Sequence, residues 1–258
     1  MACRNVERAE AAKKEIVTKY GSSNPECVKI DVADDSVIPS LSAVTEDQLI
    51  IEQLDLSSLQ SVRDFAKRIN STYHKLDFLI NNAGATHGQY ETTVDGFEST
   101  LGTNHLGPFL LTELLLPLLK NAAPSRIIMV SSKGHLMGQL NKPDLQIPKE
   151  QYGLVSAYNQ SKLCNAMHAC ELSKRLEGSG VVAVSLHPGV VNTRILDTDN
   201  SFTAFQMCHK TGGLDTTGYL KPDWYLKDQR LLVFQTTFIR CLTTGGYAYD
   251  YRTNSHYR

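Results

Sequence analysis

The chain has 258 residues, 26 Lys and Arg against 27 Asp and Glu, a formal net charge of −1 and 41% hydrophobic residues, which suits a compact globular chain with a sizeable core. A near-neutral balance with no block of Lys or Arg gives no electrostatic footprint for a phosphate backbone, so nucleic acid is not an expected partner. The longest strongly apolar run, Phe109 to Leu119, contains Glu113 and falls short of the roughly 18 to 20 residues that span a bilayer, so no membrane span is expected.

The first residues, MACRNVERAEAAKKEI, carry charge from Arg4 onward and lack the apolar core of a secretory signal. An intracellular, reduced compartment is the expectation, cytoplasmic by default. Six cysteines are scattered without a CxxC pair, and eight histidines show no HExxH spacing. Free thiols and no metal site are therefore expected.

In chain order, Asn5 precedes an Ala-, Glu- and Lys-rich stretch that stops at Gly21, which predicts a capped amphipathic helix. Two extended stretches follow, Cys27 to Val32 and Leu49 to Asp55, like one strand pattern written twice. From Ser57 the pattern is regular: helix (about 58 to 74), strand (76 to 80), helix (about 94 to 120), strand (126 to 130), helix (about 157 to 177), strand (181 to 186). Helices alternating with short, continuously apolar strands predict an α/β fold, a Rossmann-like doubly wound parallel sheet. Residues 195 to 258 mix Gly, Thr, Tyr and one Trp without clear periodicity, although Gly245 to Tyr249 fits a last strand. No domain boundary is evident, so 1–258 is taken as one domain with 196–258 unassigned.

In open α/β sheets ligands bind beyond the carboxyl ends of the strands. Four such ends carry suggestive residues: Asp55, Asn81-Asn82-Ala83-Gly84, Ser131-Ser132 and His187-Pro188-Gly189. Each alone is ordinary turn chemistry. The helix after the Ser-Ser strand adds Tyr158 and Lys162, four apart and therefore on one face. A solvated surface pair is the bland alternative; the chemical one is that an ammonium beside a phenol stabilises phenolate and brings its pKa of about 10 toward neutrality.

With NNAG at Asn81 to Gly84, Asn104 in TNHLG, Ser132 in VSS, YxxxK at Tyr158 and Lys162, and PGxVxT at Pro188 to Thr193, the sequence resembles the short-chain dehydrogenase/reductase superfamily. The stretches ACRN, TNHLGPFLLT, APSRIIMVSS and AYNQSKLCN look like its retinol-dehydrogenase-like branch, which includes the WW-domain-containing oxidoreductase. The resemblance covers about residues 1 to 195, excepting 28 to 50. It implies hydride transfer between a nicotinamide cofactor and a lipophilic alcohol, retinol-like or steroid-like, or its aldehyde or ketone. Tyr158 would move the proton, Ser132 rather than Ser131 would hold the substrate oxygen, Lys162 would act on the phenol and the ribose, and Asn104 would complete a water-linked relay. Pro108 fits that last role, since it lacks the amide that would bond the Asn104 carbonyl, though a simple helix kink is the other reading.

For the cofactor, the resemblance places Arg4 at the 2′-phosphate of NADP(H), favoured over NAD(H). Asp55, in preference to Asp31, would meet the adenine. Asn81, Ala83 and Gly84 would line the adenosine ribose, while Tyr158, Lys162, Pro188, Gly189, Val191 and Thr193 would surround the nicotinamide ribose and ring. The family's TGxxxGxG turn, which cradles the pyrophosphate, is not in this sequence. N-terminal shortening is the expected explanation, and a replacement strand from 27 to 50 the other; either the chain is an oxidoreductase, or it is a catalytically silent relative acting as an interaction or regulatory protein. Loss of the first strand would leave Leu76 to Ile80 with an unpaired edge. Family members attach to organelle membranes through an apolar N-terminal segment, so a membrane-associated organelle is the alternative location; a homo-oligomer is compatible with the sequence.

Overall fold

The computed structural model describes residues 1–21, 44–189, 247–250 and 255–257. Two sheets are present among them: a pair, β1 (Ala2–Cys3) with β2 (Glu52–Gln53), and a five-stranded sheet ordered β3 (Phe78–Asn81), β4 (Ser125–Val130), β5 (Val181–His187), β6 (Tyr247–Asp250), β7 (Ser255–Tyr257). The β1–β2, β3–β4 and β4–β5 pairings are parallel, whereas β5–β6 and β6–β7 are antiparallel.

Helix α1 (Val6–Tyr20) begins where the Asn5 side chain accepts the Arg8 amide at 2.8 Å and closes with the Gly21 amide on the Val17 carbonyl at 2.7 Å. Its Ala9 and Ile16 are buried. The strand expected over Leu49 to Asp55 is shorter: a 3-10 turn (Glu46–Gln48) leads into the two residues of β2. Cys27 to Val32 lie outside the described residues. Helix α2 (Leu59–Thr72) is capped by Ser58, whose hydroxyl accepts the Ser61 amide at 3.3 Å, and buries Val62, Phe65 and Ala66 at helical spacing.

Strand β4 is apolar from Ile127 to Val130 because both its faces are covered there. Ile127 and Met129 pack with Leu119, Ala169 and Leu172, while Ile128 and Val130 pack with Leu186 on the other face. The single helix expected over 94 to 120 is three segments: α3 (Ser99–Leu101), a π-helical turn (Gly102–Leu106) and α4 (Gly107–Asn121). Two local causes are visible. The buried Glu98 carboxylate accepts the Thr100 and Leu101 amides at 2.7 and 2.8 Å, which fixes the start. Pro108 then has no amide to offer the preceding turn, and a π turn is one way a helix accommodates that loss. Gly107 is needed where it stands, since a Cβ there would lie 2.3 Å from the Leu56 carbonyl oxygen. Helix α5 (Leu154–Arg175) then carries the chain to β5. Of the strand expected over Gly245 to Tyr249, Tyr247 to Tyr249 fall in β6, which pairs antiparallel with β5 and β7; Gly245 and Gly246 lie outside the described residues.

Candidate active site

The carboxyl ends of β3, β4 and β5 and the first half of α5 bring most of the sequence-predicted residues together. Ser132 follows β4 and caps a 3-10 turn (Lys133–Met137), its hydroxyl accepting the Gly134 amide at 3.2 Å. Gly134 is pressed against α5: a Cβ there would be 2.2 Å from Asn159 Oδ1. This close approach puts the Ser132 hydroxyl in hydrogen-bonding reach of the half-buried Tyr158 phenol. Ser131 takes the other role open to it: it is buried, and its hydroxyl donates to the Lys162 carbonyl at 2.8 Å.

Lys162 is buried, its Nζ 3.0 Å from the Val130 carbonyl and 5.5 Å from the centroid of the Tyr158 ring. Burial lowers its pKa from 10.5 to about 8. The Tyr158 phenol is displaced upward, opposite to the direction expected from the sequence. Burial is the main cause, partly offset by the Ser132 hydrogen bond. The reason is geometric: the Lys162 ammonium lies over the ring and is engaged by Val130.

Asn104 is fully buried in the π turn. Its Oδ1 accepts the Ala85 amide at 2.7 Å, and its Nδ2 donates to the Ala85 carbonyl at 2.9 Å and to Ser161 Oγ at 3.1 Å. It therefore clamps the segment that follows Asn81 to Gly84. Its own carbonyl, expected to be free, accepts the Asn165 side-chain amide at 3.0 Å. Asn165 was not singled out in the sequence, and nothing in its spacing marks it.

Among the expected cofactor residues, Arg4 is exposed and makes no ion pair among the described residues. Asp55 is half-buried, and its Oδ1 closes the turn into α2 by accepting the Ser57 amide at 2.9 Å and hydroxyl at 2.6 Å. Asn81 is turned inward, with Nδ2 donating to Thr112 Oγ1 at 3.0 Å and to Met129 Sδ at 3.3 Å. Ala83 and Gly84 are exposed, Pro188 and Gly189 are half-buried, and Gly189 has a φ of 83° that suits only glycine without strain. Val191 and Thr193 lie outside the described residues.

Two histidines to which the sequence assigned no role stand beside this group. His135 Nδ1 is 2.6 Å from the Ser132 carbonyl, and His187 Nδ1 is buried with no hydrogen-bond partner among the described residues. Burial first, then the charges of Lys133 and His135, lowers the His187 pKa to about 4. A three-residue offset from Ser132 was the only available signal for His135.

The short chain dehydrogenase family model matches residues 14–203. Mouse retinol dehydrogenase 14 is 42% identical over 198 residues, 76% of this chain and 54% of that protein, and human retinol dehydrogenase 13 is 42% identical over 195 residues, 76% of this chain and 52% of that protein. This chain thus spans about half the length of these relatives. Among solved structures, an uncharacterized protein from Mycobacterium paratuberculosis is 37% identical, with a TM-score of 0.56 over 75% of this chain and 59% of the other. Helices alternating with parallel strands, the strand-end motifs in order, and these identities agree: the chain belongs to the short-chain dehydrogenase/reductase superfamily, in its retinol-dehydrogenase-like branch.

Proposed function

We propose that the chain interconverts a lipophilic alcohol with its aldehyde or ketone, with NADP(H) as cofactor and Tyr158 as the group that moves the proton. The observation that carries this reading is the placement of the buried Lys162, with its Nζ 5.5 Å from the centroid of the Tyr158 ring, beside the Ser132 turn at the end of β4. NADP(H), when bound, supplies or takes the hydride. The residues fit that group at its nicotinamide end: an ammonium has three donors, and Lys162 directs one to Val130, leaving others for ribose hydroxyls. Pro188 and Gly189, with Val191 and Thr193 by resemblance, would flank the ring. By the same resemblance the exposed Arg4 would meet a 2′-phosphate, Asp55 would meet the adenine, and Asn81, Ala83 and Gly84 would border the adenosine ribose.

In the reducing direction Ser132 Oγ would hold the substrate oxygen while Tyr158 Oη gives it a proton. A phenol whose pKa is raised by burial is protonated at neutral pH, the form that donates. In the oxidising direction the phenolate must form, so that rate rises with pH. Asn104, bonded to the amide and carbonyl of Ala85 and to Ser161, ties the segment after β3 to α5.

The test is Tyr158→Phe in a retinaldehyde reductase assay with NADPH. Turnover is expected to fall by about 10²- to 10⁴-fold with NADPH affinity unchanged. Equal turnover in both proteins would sink the assignment. The second reading, a silent relative with an interaction role, stands if the unaltered chain neither binds nucleotide nor turns over.

A further inference from the structure

Asn104 is held to α5 at two places. Its side-chain Nδ2 donates to Ser161 Oγ at 3.1 Å, and its main-chain carbonyl accepts Asn165 Nδ2 at 3.0 Å. Ser161 and Asn165 are one turn apart on the same side of α5, and Ser161 donates in turn to the Tyr158 carbonyl at 2.7 Å. The Asn165 contact answers a local need. In a regular helix the amide of residue 108 would bond the carbonyl of residue 104; Pro108 has no amide to give, so this buried carbonyl takes its donor from another helix. The orientation of the Asn165 amide is fixed as well. Turned over, it would set Oδ1 against the Asn104 carbonyl, one acceptor facing another. With Nδ2 on Asn104, Oδ1 stands 3.1 Å from His105 Nδ1, which therefore carries the hydrogen and donates it.

We propose that Asn165 is a positioning residue for proton transfer, acting through Asn104 and locked in its working orientation by His105. The inference rests on the reading of Tyr158 given above. Asn104 holds the amide and carbonyl of Ala85 at 2.7 and 2.9 Å, so a shift of the π turn along α5 would carry the segment after β3 with it. Tyr158 and Lys162 stand on the same helix that supplies both grips on Asn104. Asn165 thereby sets how that segment stands relative to the Tyr158 phenol. A side chain kept only to fill this space would be apolar. Asn165 is buried and instead places both ends of its amide on the π turn, one on Asn104 and one on His105.

Asn165→Leu keeps the length of the side chain and removes both bonds. The first readout contains no nucleotide. In hydrogen exchange followed by NMR on the full chain, the Ala85 amide, which bonds Asn104 Oδ1, is expected to exchange about tenfold faster in the variant, as for the loss of one hydrogen bond. Amides of β4 are expected to exchange as before, which separates this effect from a general loss of stability. In the retinaldehyde reductase assay with NADPH, kcat is expected to fall about tenfold with KM for retinaldehyde unchanged, the mark of lost alignment rather than lost binding. His105→Phe keeps a ring and removes the lock; it is expected to move both readouts the same way by about threefold, and it decides the matter should Asn165→Leu fail to fold. An Ala85 amide that exchanges at the unaltered rate would overturn the linkage. Faster exchange with kcat unchanged would overturn the positioning role and leave the reading of Tyr158 intact. No turnover by the unaltered chain would overturn that reading first, and the positioning role with it.

Discussion

The region around β4, β5 and the body of α5 and the region around β1, β2 and β3 share one chain and differ in how completely their polar and apolar groups are matched. In the first, β4 is covered on both faces and, the rings of His168 and His187 apart, buried polar side chains are paired: Ser125 donates to the Leu119 carbonyl at 2.7 Å, and Gln160 bonds the Asn141 amide and the Leu145 carbonyl, both at 2.7 Å. In the second, two-residue strands and the outer edge of β3 border an open cavity. The candidate proton-transfer residues belong to the first region, and Arg4 and Asp55 to the second. Geometry for proton transfer is thus held by packing that does not depend on the nucleotide edge.

The sharpest way to break this contrast is a pair of truncations. Ile127 has 0% exposure and Phe78 has 52%. Ile127→Ala removes packed methyl groups and leaves a cavity, so it is expected to cost about 2–5 kcal/mol. Phe78→Ala, on the open edge, should change stability by about 0.5 kcal/mol or less. Urea unfolding of both variants checks this, and comparable losses would show that the β3 edge is as tightly packed as the core.

Acid distinguishes the regions next. His168, buried on α5 with neither ring nitrogen partnered among the described residues, has its pKa lowered to about 4, by burial first and then by the charges of His105 and Arg175. His187 on β5 is lowered equally. Both values lie below the unfolded value of 6.5. The unfolded chain therefore binds more protons between pH 6.5 and 4, and stability, complete above pH 6.5, falls as pH drops through that window. Each group contributes about 3 kcal/mol. Denaturation midpoints measured from pH 7 to 4 should fall, and His168→Phe should remove about half of the histidine-dependent part.

The closed region is also the one that was legible in the sequence. A strand covered on both faces must be continuously apolar, so RIIMV and VVAVSL announced β4 and β5, and Asn5 and Gly21 announced both ends of α1. The site was legible as motifs but not as electrostatics: residue spacing put Lys162 on the Tyr158 face, yet only the three-dimensional placement of the Val130 carbonyl decides where its ammonium goes. The π turn was hidden because Pro108 alone is equally compatible with a kink, and the buried carboxylate of Glu98 has no sequence signature. The antiparallel β6 and β7 follow no helix-strand alternation, so periodicity could not order them.

The mildest expected effect tests whether the open region still reads a nucleotide. A ligand at about one hundred times its dissociation constant stabilises by roughly 2.7 kcal/mol, and for a chain of this length each kcal/mol moves the melting midpoint by about 2–4 °C. NADPH should therefore raise the midpoint by several degrees, and by more than NADH at equal concentration. Arg4 is exposed and unpaired among the described residues, so Arg4→Glu removes nothing from the folded core. It should leave the unliganded midpoint in place while weakening NADPH about tenfold, or about 1.4 kcal/mol, because a carboxylate replaces the forked donor at the 2′-phosphate. An unchanged NADPH shift in this variant would move phosphate recognition away from Arg4. A shift absent in both proteins would mean that a well-packed proton-transfer region does not by itself create a nucleotide site, and that the edge beyond β3 decides binding.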